Sequence, residues 1–121
     1  MGERKELEFM EWGPKAEAQR LIPPGMPRHL KIVCTGKGTI EFDWKPPAPQ
    51  SGGDVRNYLV FRRDKSDPTQ PFTPWQLIQS ALATTRFLTD QPRGINLEYR
   101  VVAVNNAGNS VPSNTVAAVL E

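Results

Sequence analysis

Residues 97–114, LEYRVVAVNNAGNSVPSN, constrain the fold more than any other part of this chain. Leu97, Tyr99, Val101 and Ala103 alternate with Glu98, Arg100, Val102 and Val104. A period of two puts the two sets on opposite faces of a strand. The alternation stops at Asn105-Asn106-Ala107-Gly108-Asn109, where Asn and Gly tolerate the left-handed backbone of a tight reversal. A second apolar run at 116–120 follows, so the segment reads as a hairpin. Twelve prolines spread over 121 residues argue against an all-helical alternative.

The same reading extends upstream. Five more strands are predicted at 30–34, 39–45, 55–63, 75–78 and 86–89, for seven in all. Between them lie turns rich in Gly, Pro and Asp, at the spacing of a β-sandwich. Residues 39–45 carry the strongest alternation, with Ile40, Phe42 and Trp44 on one side and Thr39, Glu41 and Asp43 on the other. The first 23 residues differ. Leu7 with Met10, and Phe9 with Trp12, are spaced for one or two helical turns. Gly13-Pro14 interrupts, a second short helix is predicted at 15–21, and Pro23-Pro24-Gly25 reads as a linker. The expected organisation is an extension, partly helical or irregular, over 1–23 and one domain over 24–121.

The inventory excludes most chemistry. His29 and Cys34 are the only histidine and cysteine. Five residues apart on one strand, they would lie about 16–17 Å from each other and face opposite ways, far outside hydrogen-bond reach. A solvated His and a small buried thiol are expected instead. Glu41 and Asp43, about 6.6 Å apart by strand rise, have a separation compatible with glycoside hydrolysis, but on an open sheet face both stay ionised. Asp64 and Asp67 lack the ligand ladder of a calcium loop and read as turn residues. One cysteine permits no internal disulfide. The net charge of +2 is spread along the chain with no dense basic block, so nucleic acid is not an expected partner. No run of 18 apolar residues suggests a membrane span, and the first residues lack the apolar centre of a signal peptide. The compartment stays open. No catalytic, metal or cofactor site is expected.

Six pieces, in order over residues 24–120, resemble a fibronectin type III domain. They are Pro27 with Leu30, the TIEFDWKPP run at 39–47, GGDVRNYLV at 52–60, WQLI at 75–78, Gly94, and RVVAVNNAG at 100–108. The resemblance implies an all-β, seven-stranded antiparallel immunoglobulin-like β-sandwich, here taken as a bacterial-type member. It also implies a core of Leu30, Ile40, Phe42, Trp44, Tyr58, Val60, Leu88, Leu97, Tyr99, Val101 and Ala103. One position departs from the pattern: the family's corner tyrosine falls on Leu97, and Tyr99 stands two residues later. The expectation is that Leu97 fills the corner by packing and leaves it a hydrogen bond short.

With Tyr58 and Val60 inward, Leu59 and Phe61 point out, as do Val102 and Val104 on the neighbouring strand. Rimmed by Arg63 and Arg100, they form the candidate interaction patch, since contiguous apolar surface marks contact sites. Two other readings stay open: a one-residue slip that makes Leu59 and Phe61 core, and a patch covered by neighbouring side chains. The resemblance implies a non-catalytic module of a larger protein, a spacer or protein-interaction surface. Its partner would be another protein or its own N-terminal segment, in cis or in trans. Binding would use this face or the loops at 46–53 and 105–112. The alternative is a carbohydrate-associated accessory domain of a secreted glycan-degrading enzyme, with Trp75 as the sugar-stacking residue.

Overall fold

The structure, a computed structural model, describes residues 21–121. The helical turns expected within the N-terminal extension fall on residues outside that range, except for Leu21, which is in no helix. Among the described residues, β1 (Arg28–Gly36), β2 (Thr39–Lys45) and β5 (Thr85–Leu88) form a sheet in the order β1-β2-β5. A second sheet contains β3 (Asn57–Lys65), β4 (Gln76–Ala81), β6 (Asn96–Asn105), β7 (Gly108–Asn109) and β8 (Val116–Val119). Its order is β4-β3-β6-β7, and β8 also pairs with β6. Every strand pairing is antiparallel. The two sheets pack as an all-β sandwich.

The expected seventh strand, 116–120, is β8, and a two-residue strand, β7, that was not expected pairs with β6 ahead of it. Between β7 and β8 falls Val111-Pro112, and Pro has no N–H for a ladder. Serine hydroxyls flank it and keep β6 bonded: Val101 N–H donates to Ser113 Oγ at 2.9 Å and Ala103 N–H to Ser110 Oγ at 2.9 Å. Asn114 then behaves like a piece of strand. Its Oδ1 accepts from Leu30 N–H and its Nδ2 donates to Leu30 C=O, both at 2.9 Å, which ties the edge of the other sheet to this one.

Alternation sets the core. In β2 the inward Ile40, Phe42 and Trp44 are buried, and the outward Thr39, Glu41 and Asp43 are half-buried. Leu30, Tyr58, Val60, Leu88, Leu97, Tyr99, Val101 and Ala103 complete the set, all buried. Two aromatic pairs anchor it. The ring centroids of Phe42 and Tyr99 are 4.8 Å apart, and those of Trp44 and Tyr58 are 5.4 Å apart at an edge-on 72°.

Two expectations need correction. The corner is not a hydrogen bond short. The Tyr99 hydroxyl donates to Gln91 Oε1 at 2.6 Å, and Arg62 Nη1 donates to the same oxygen at 2.9 Å. Gln91 N–H in turn donates to Gly38 C=O at 2.9 Å, in the β1–β2 turn, where Gly38 holds a φ of 67°. A tyrosine two residues late therefore still reaches the corner, because a glutamine side chain meets it. Cys34 is exposed, not buried. Strict alternation from Leu30 would turn it inward, but the β1–β2 register shifts between Ile32 and Cys34. That bulge reverses the parity and places Cys34 opposite Glu41 on the outer face. The thiol donates to Glu41 Oε1 at 3.5 Å, and chiefly this bond to a carboxylate raises its pKa.

Replacing Trp44, 3% exposed, with alanine should cost about 3–5 kcal/mol by cavity formation. Against a total of about 5–15 kcal/mol for a typical domain, that is close to unfolding. Chemical denaturation monitored by far-UV circular dichroism checks it. Burial pushes the Tyr99 phenol up from an ordinary 10.0 to about 12, and Arg62 offsets part of that rise. A raised phenol pKa stabilises the fold fully below the unfolded value, and the contribution disappears as pH climbs through the folded one. Denaturation midpoints should therefore fall between about pH 10 and pH 12. Tyr99→Phe should be less stable at neutral pH and should show a shallower alkaline decline.

Candidate functional site

The outer face of the five-stranded sheet gathers the six candidate residues. Register pairs Leu59 with Val102, Phe61 with Arg100 and Asn57 with Val104, and Arg63 lies opposite Glu98. Tyr58 and Val60 are buried and Leu59 and Phe61 are not, so β3 is not slipped by one residue. All six side chains share one face, but they do not make an open apolar patch. Val102 is 6% exposed in mid-sheet, and Leu59, Phe61, Arg63, Arg100 and Val104 are half-buried.

The cover comes from the β3–β4 loop. Asp64 N–H donates to Thr73 Oγ1 at 3.0 Å and Thr73 N–H donates to Asp64 C=O at 2.8 Å, which closes residues 64–73 and turns the chain back over the sheet. At the loop's tip Asp67 accepts from the N–H and the hydroxyl of Thr69. These bonds, the backbone one foremost, hold its carboxyl below the usual range. They use the Asp67 oxygen in turn geometry, and no cluster of three potential metal ligands occurs among the described residues.

The closed loop delivers Phe72 and Trp75 to the basic side chains. The Arg100 guanidinium carbon lies 4.2 Å from the Trp75 ring centroid and that of Arg63 lies 4.6 Å away. Arg63 is also 4.9 Å from the Phe72 ring, and Lys65 Nζ is 4.7 Å from it. Arg63 is further fixed by Glu98: its Nη2 lies 2.6 Å and its Nε 2.7 Å from Oε1. Desolvation, with the like charge of Arg63 second, lowers the Arg100 pKa. Among the described residues, three cations, Arg63, Lys65 and Arg100, thus stand on this face against the single carboxylate of Glu98. Leu77, opposite Phe61 on β4, adds apolar surface at 56% exposure. A guanidinium held over an indole is confined in position, which favours recognition of a carboxylate.

The structure puts the outward row on one sheet face, partly covered as in the second of the readings the sequence leaves open, and the covering residues are ones the sequence reading did not assign to this face. Phe72, Trp75, Lys65 and Glu98 belong to the same cluster. The signal was available in FTPW at 72–75, two aromatics closing a polar loop just before a strand. The other residues weighed for chemistry are not brought together. His29 is exposed at the start of β1 with a φ of 55°, while Cys34 lies beside Glu41. No helix among the described residues is long and apolar enough to cross a membrane.

The loops named as an alternative contact region are occupied in part by the chain itself. Asn105 Nδ2 donates to Ile22 C=O at 2.8 Å, and Gly53 N–H donates to Pro23 C=O at 3.0 Å. Pro24 and Gly53 form an isolated parallel bridge. Residues 22–24 are thereby fixed between the tips of two loops at one pole of the sandwich.

Comparison with known proteins agrees with this architecture. The "Titin homolog" of Caenorhabditis elegans is 30% identical over 122 residues, covering 96% of this chain and 1% of that protein. The cardiac-type myosin-binding protein C of Homo sapiens is 31% identical over 90 residues, covering 74% of this chain and 7% of that protein. The chain thus spans a small fraction of the curated relatives it matches. Among solved structures, the twitchin kinase region from C. elegans superposes with a TM-score of 0.71 at 24% identity, over 81% of this chain and 17% of that one. Domains A168–A170 of titin give 0.68 at 23% identity, over 80% and 32%. These relatives are animal muscle proteins, so the expectation of a bacterial-type member is corrected, and attachment to a glycan-degrading enzyme is not favoured. The fibronectin type III family matches residues 25–119, and the chain belongs to that family.

Proposed function

We propose that this chain is one non-catalytic module of a longer filament-associated protein, spacing its neighbours and contacting a protein partner through the outer face of β4, β3 and β6. The observation that carries the reading is the clamp of Arg63 and Arg100 on Trp75. It displays an excess of positive charge at fixed positions on an otherwise neutral, partly apolar face. Such a face attracts an acidic protein surface and orients it. The module extends from about residue 24 to 121, with Ile22 and Pro23 held against it and the preceding residues forming an extension. Fibronectin type III domains are generally non-catalytic, and the names of several relatives specify myosin binding, so myosin is the first partner to test. A sugar-stacking role is disfavoured, because two guanidinium groups already lie over the Trp75 ring.

Cosedimentation with purified myosin filaments tests the reading. Binding should weaken as salt rises. Arg100→Glu should weaken it about tenfold or more, equivalent to about 1.4 kcal/mol, and Arg100→Lys should lose less. Lys31→Glu, on the other sheet, should bind like the parent. Equal binding by all four chains would remove this face from the contact, and no binding by the parent chain would remove myosin. Trp75→Ala should also lower stability by about 1–2 kcal/mol, from two cation–π contacts of about 0.5–1 kcal/mol each.

A further inference from the structure

The basic face has a complementary segment within the same chain. Residues 6–12, ELEFMEW, carry Glu6, Glu8 and Glu11 interleaved with Leu7, Phe9, Met10 and Trp12, and no Lys or Arg occurs among them. On the folded domain, no described carboxylate lies within ion-pair distance of Arg100 or Lys65, whereas Arg63 is paired with Glu98. The apolar members have matching surface in Leu77, Leu59, Phe61 and Val104, exposed or half-buried on that face. The opposite sheet has the wrong sign at its centre: Glu41 and Asp43 both point outward there.

Reach is satisfied as well. The chain is fixed at Ile22 by Asn105, the residue after Val104 at one end of the same face. Arg100 lies five residues down β6, about 17 Å away by strand rise. The nine steps from Trp12 to Leu21 span up to about 30 Å when extended. A tethered segment also acts at an effective concentration in the millimolar range, so a weak complementary contact is populated.

We propose that residues 6–12 dock in cis on the outer face of β3 and β6, their glutamates meeting Arg100 and Lys65 and their apolar side chains covering the row from Leu77 to Val104. The inference rests on reading this face as a contact surface. It makes the segment an internal competitor for the external partner.

Paramagnetic relaxation in the 121-residue chain tests it. A nitroxide is attached at Lys5→Cys, just outside the segment, with exposed Cys34 changed to Ser. Amide signals of Phe61–Arg63 and Glu98–Arg100 should be lost, and those of Lys31, Glu41 and Asp43 retained. Glu6→Lys/Glu8→Lys/Glu11→Lys, which alters nothing within the described domain, should restore the lost signals, as should high salt. Retention of the β3 and β6 signals, or loss centred on β1 and β2, overturns the proposal. A mixture of isotope-labelled chain without nitroxide and nitroxide-bearing chain without isotope label should show no loss. Loss in the mixture means that a second copy supplies the segment, and overturns docking in cis. Myosin is absent from this experiment. A docked segment without myosin cosedimentation refutes only the external partner, and cosedimentation without docking refutes only the internal one.

Discussion

Phe42 against Tyr99 is the contact on which the sandwich depends. With a single cysteine there is no covalent tie between the sheets, so side chains alone must hold β2 to β6. The two rings meet tilted at 54° in the middle of the core, and Trp44 on Tyr58 repeats the arrangement two residues along β2. Such aromatic pairs contribute about 0.5–1.5 kcal/mol each beyond the area they bury. Tyr99 does more than pack. Its hydroxyl shares Gln91 Oε1 with Arg62, and Gln91 N–H bonds the carbonyl of Gly38. One side chain therefore connects the core, β3, the β5–β6 connection and the β1–β2 turn. Its burial is also why the phenol resists ionisation.

That network shows how far a sequence can be read. The alternation in β2 and β6 was legible because each strand buries one face completely, and the β2–β5 and β3–β6 ladders run without a shift. The family pattern put the corner hydroxyl at 97 and so implied a missing bond. Nothing local to Leu97 or Tyr99 says that Gln91, eight residues before Tyr99, would supply the acceptor. In β1 the period failed for a different reason. Shifts between Arg28 and Lys31 and between Ile32 and Cys34 insert residues into the ladder, and each insertion reverses which side faces the core. A bulge has no composition signature strong enough to find in LKIVCTG, so Cys34 was assigned to the wrong side. The last strand, β8, was legible as the apolar run at 116–120, but the short β7 and the use of Ser110, Ser113 and Asn114 to bridge the gap between them depend on partners in β6 and β1.

The candidate surface divides along the same line. Which residues of β3 and β6 point outward follows from parity, and parity holds there. Whether they meet solvent does not, because the cover is supplied by a loop that reverses through Asp64 and Thr73. The reversal changes the character of the face. Four aliphatic and aromatic residues with an arginine rim would attract any apolar partner. With Trp75 and Phe72 laid beside Arg63, Lys65 and Arg100, the face instead offers oriented cations over a partly shielded apolar floor. Selection by charge then precedes burial of apolar area, and the contact becomes sensitive to ionic strength.

Under the proposed function, the pole of the domain supplies a reason for a sheet face, not a loop end, to carry the contact. A Cβ added to Gly53 would fall 2.2 Å from the carbonyl oxygen of Ile22, and one on Gly52 would fall 2.5 Å from Gly25 N and 2.6 Å from the Pro23 oxygen. Glycines at these two positions let the incoming chain lie against the loop backbone, where Asn105 and Gly53 then bond it. The loops at 46–53 and 105–112 are in this way partly committed to setting the direction in which the chain meets the sandwich. The same anchoring holds Ile22 beside Asn105, at the Val104 end of the basic face. Geometry at the pole thus limits what the loops are free to bind and fixes the point at which residues 22–24 meet the sandwich.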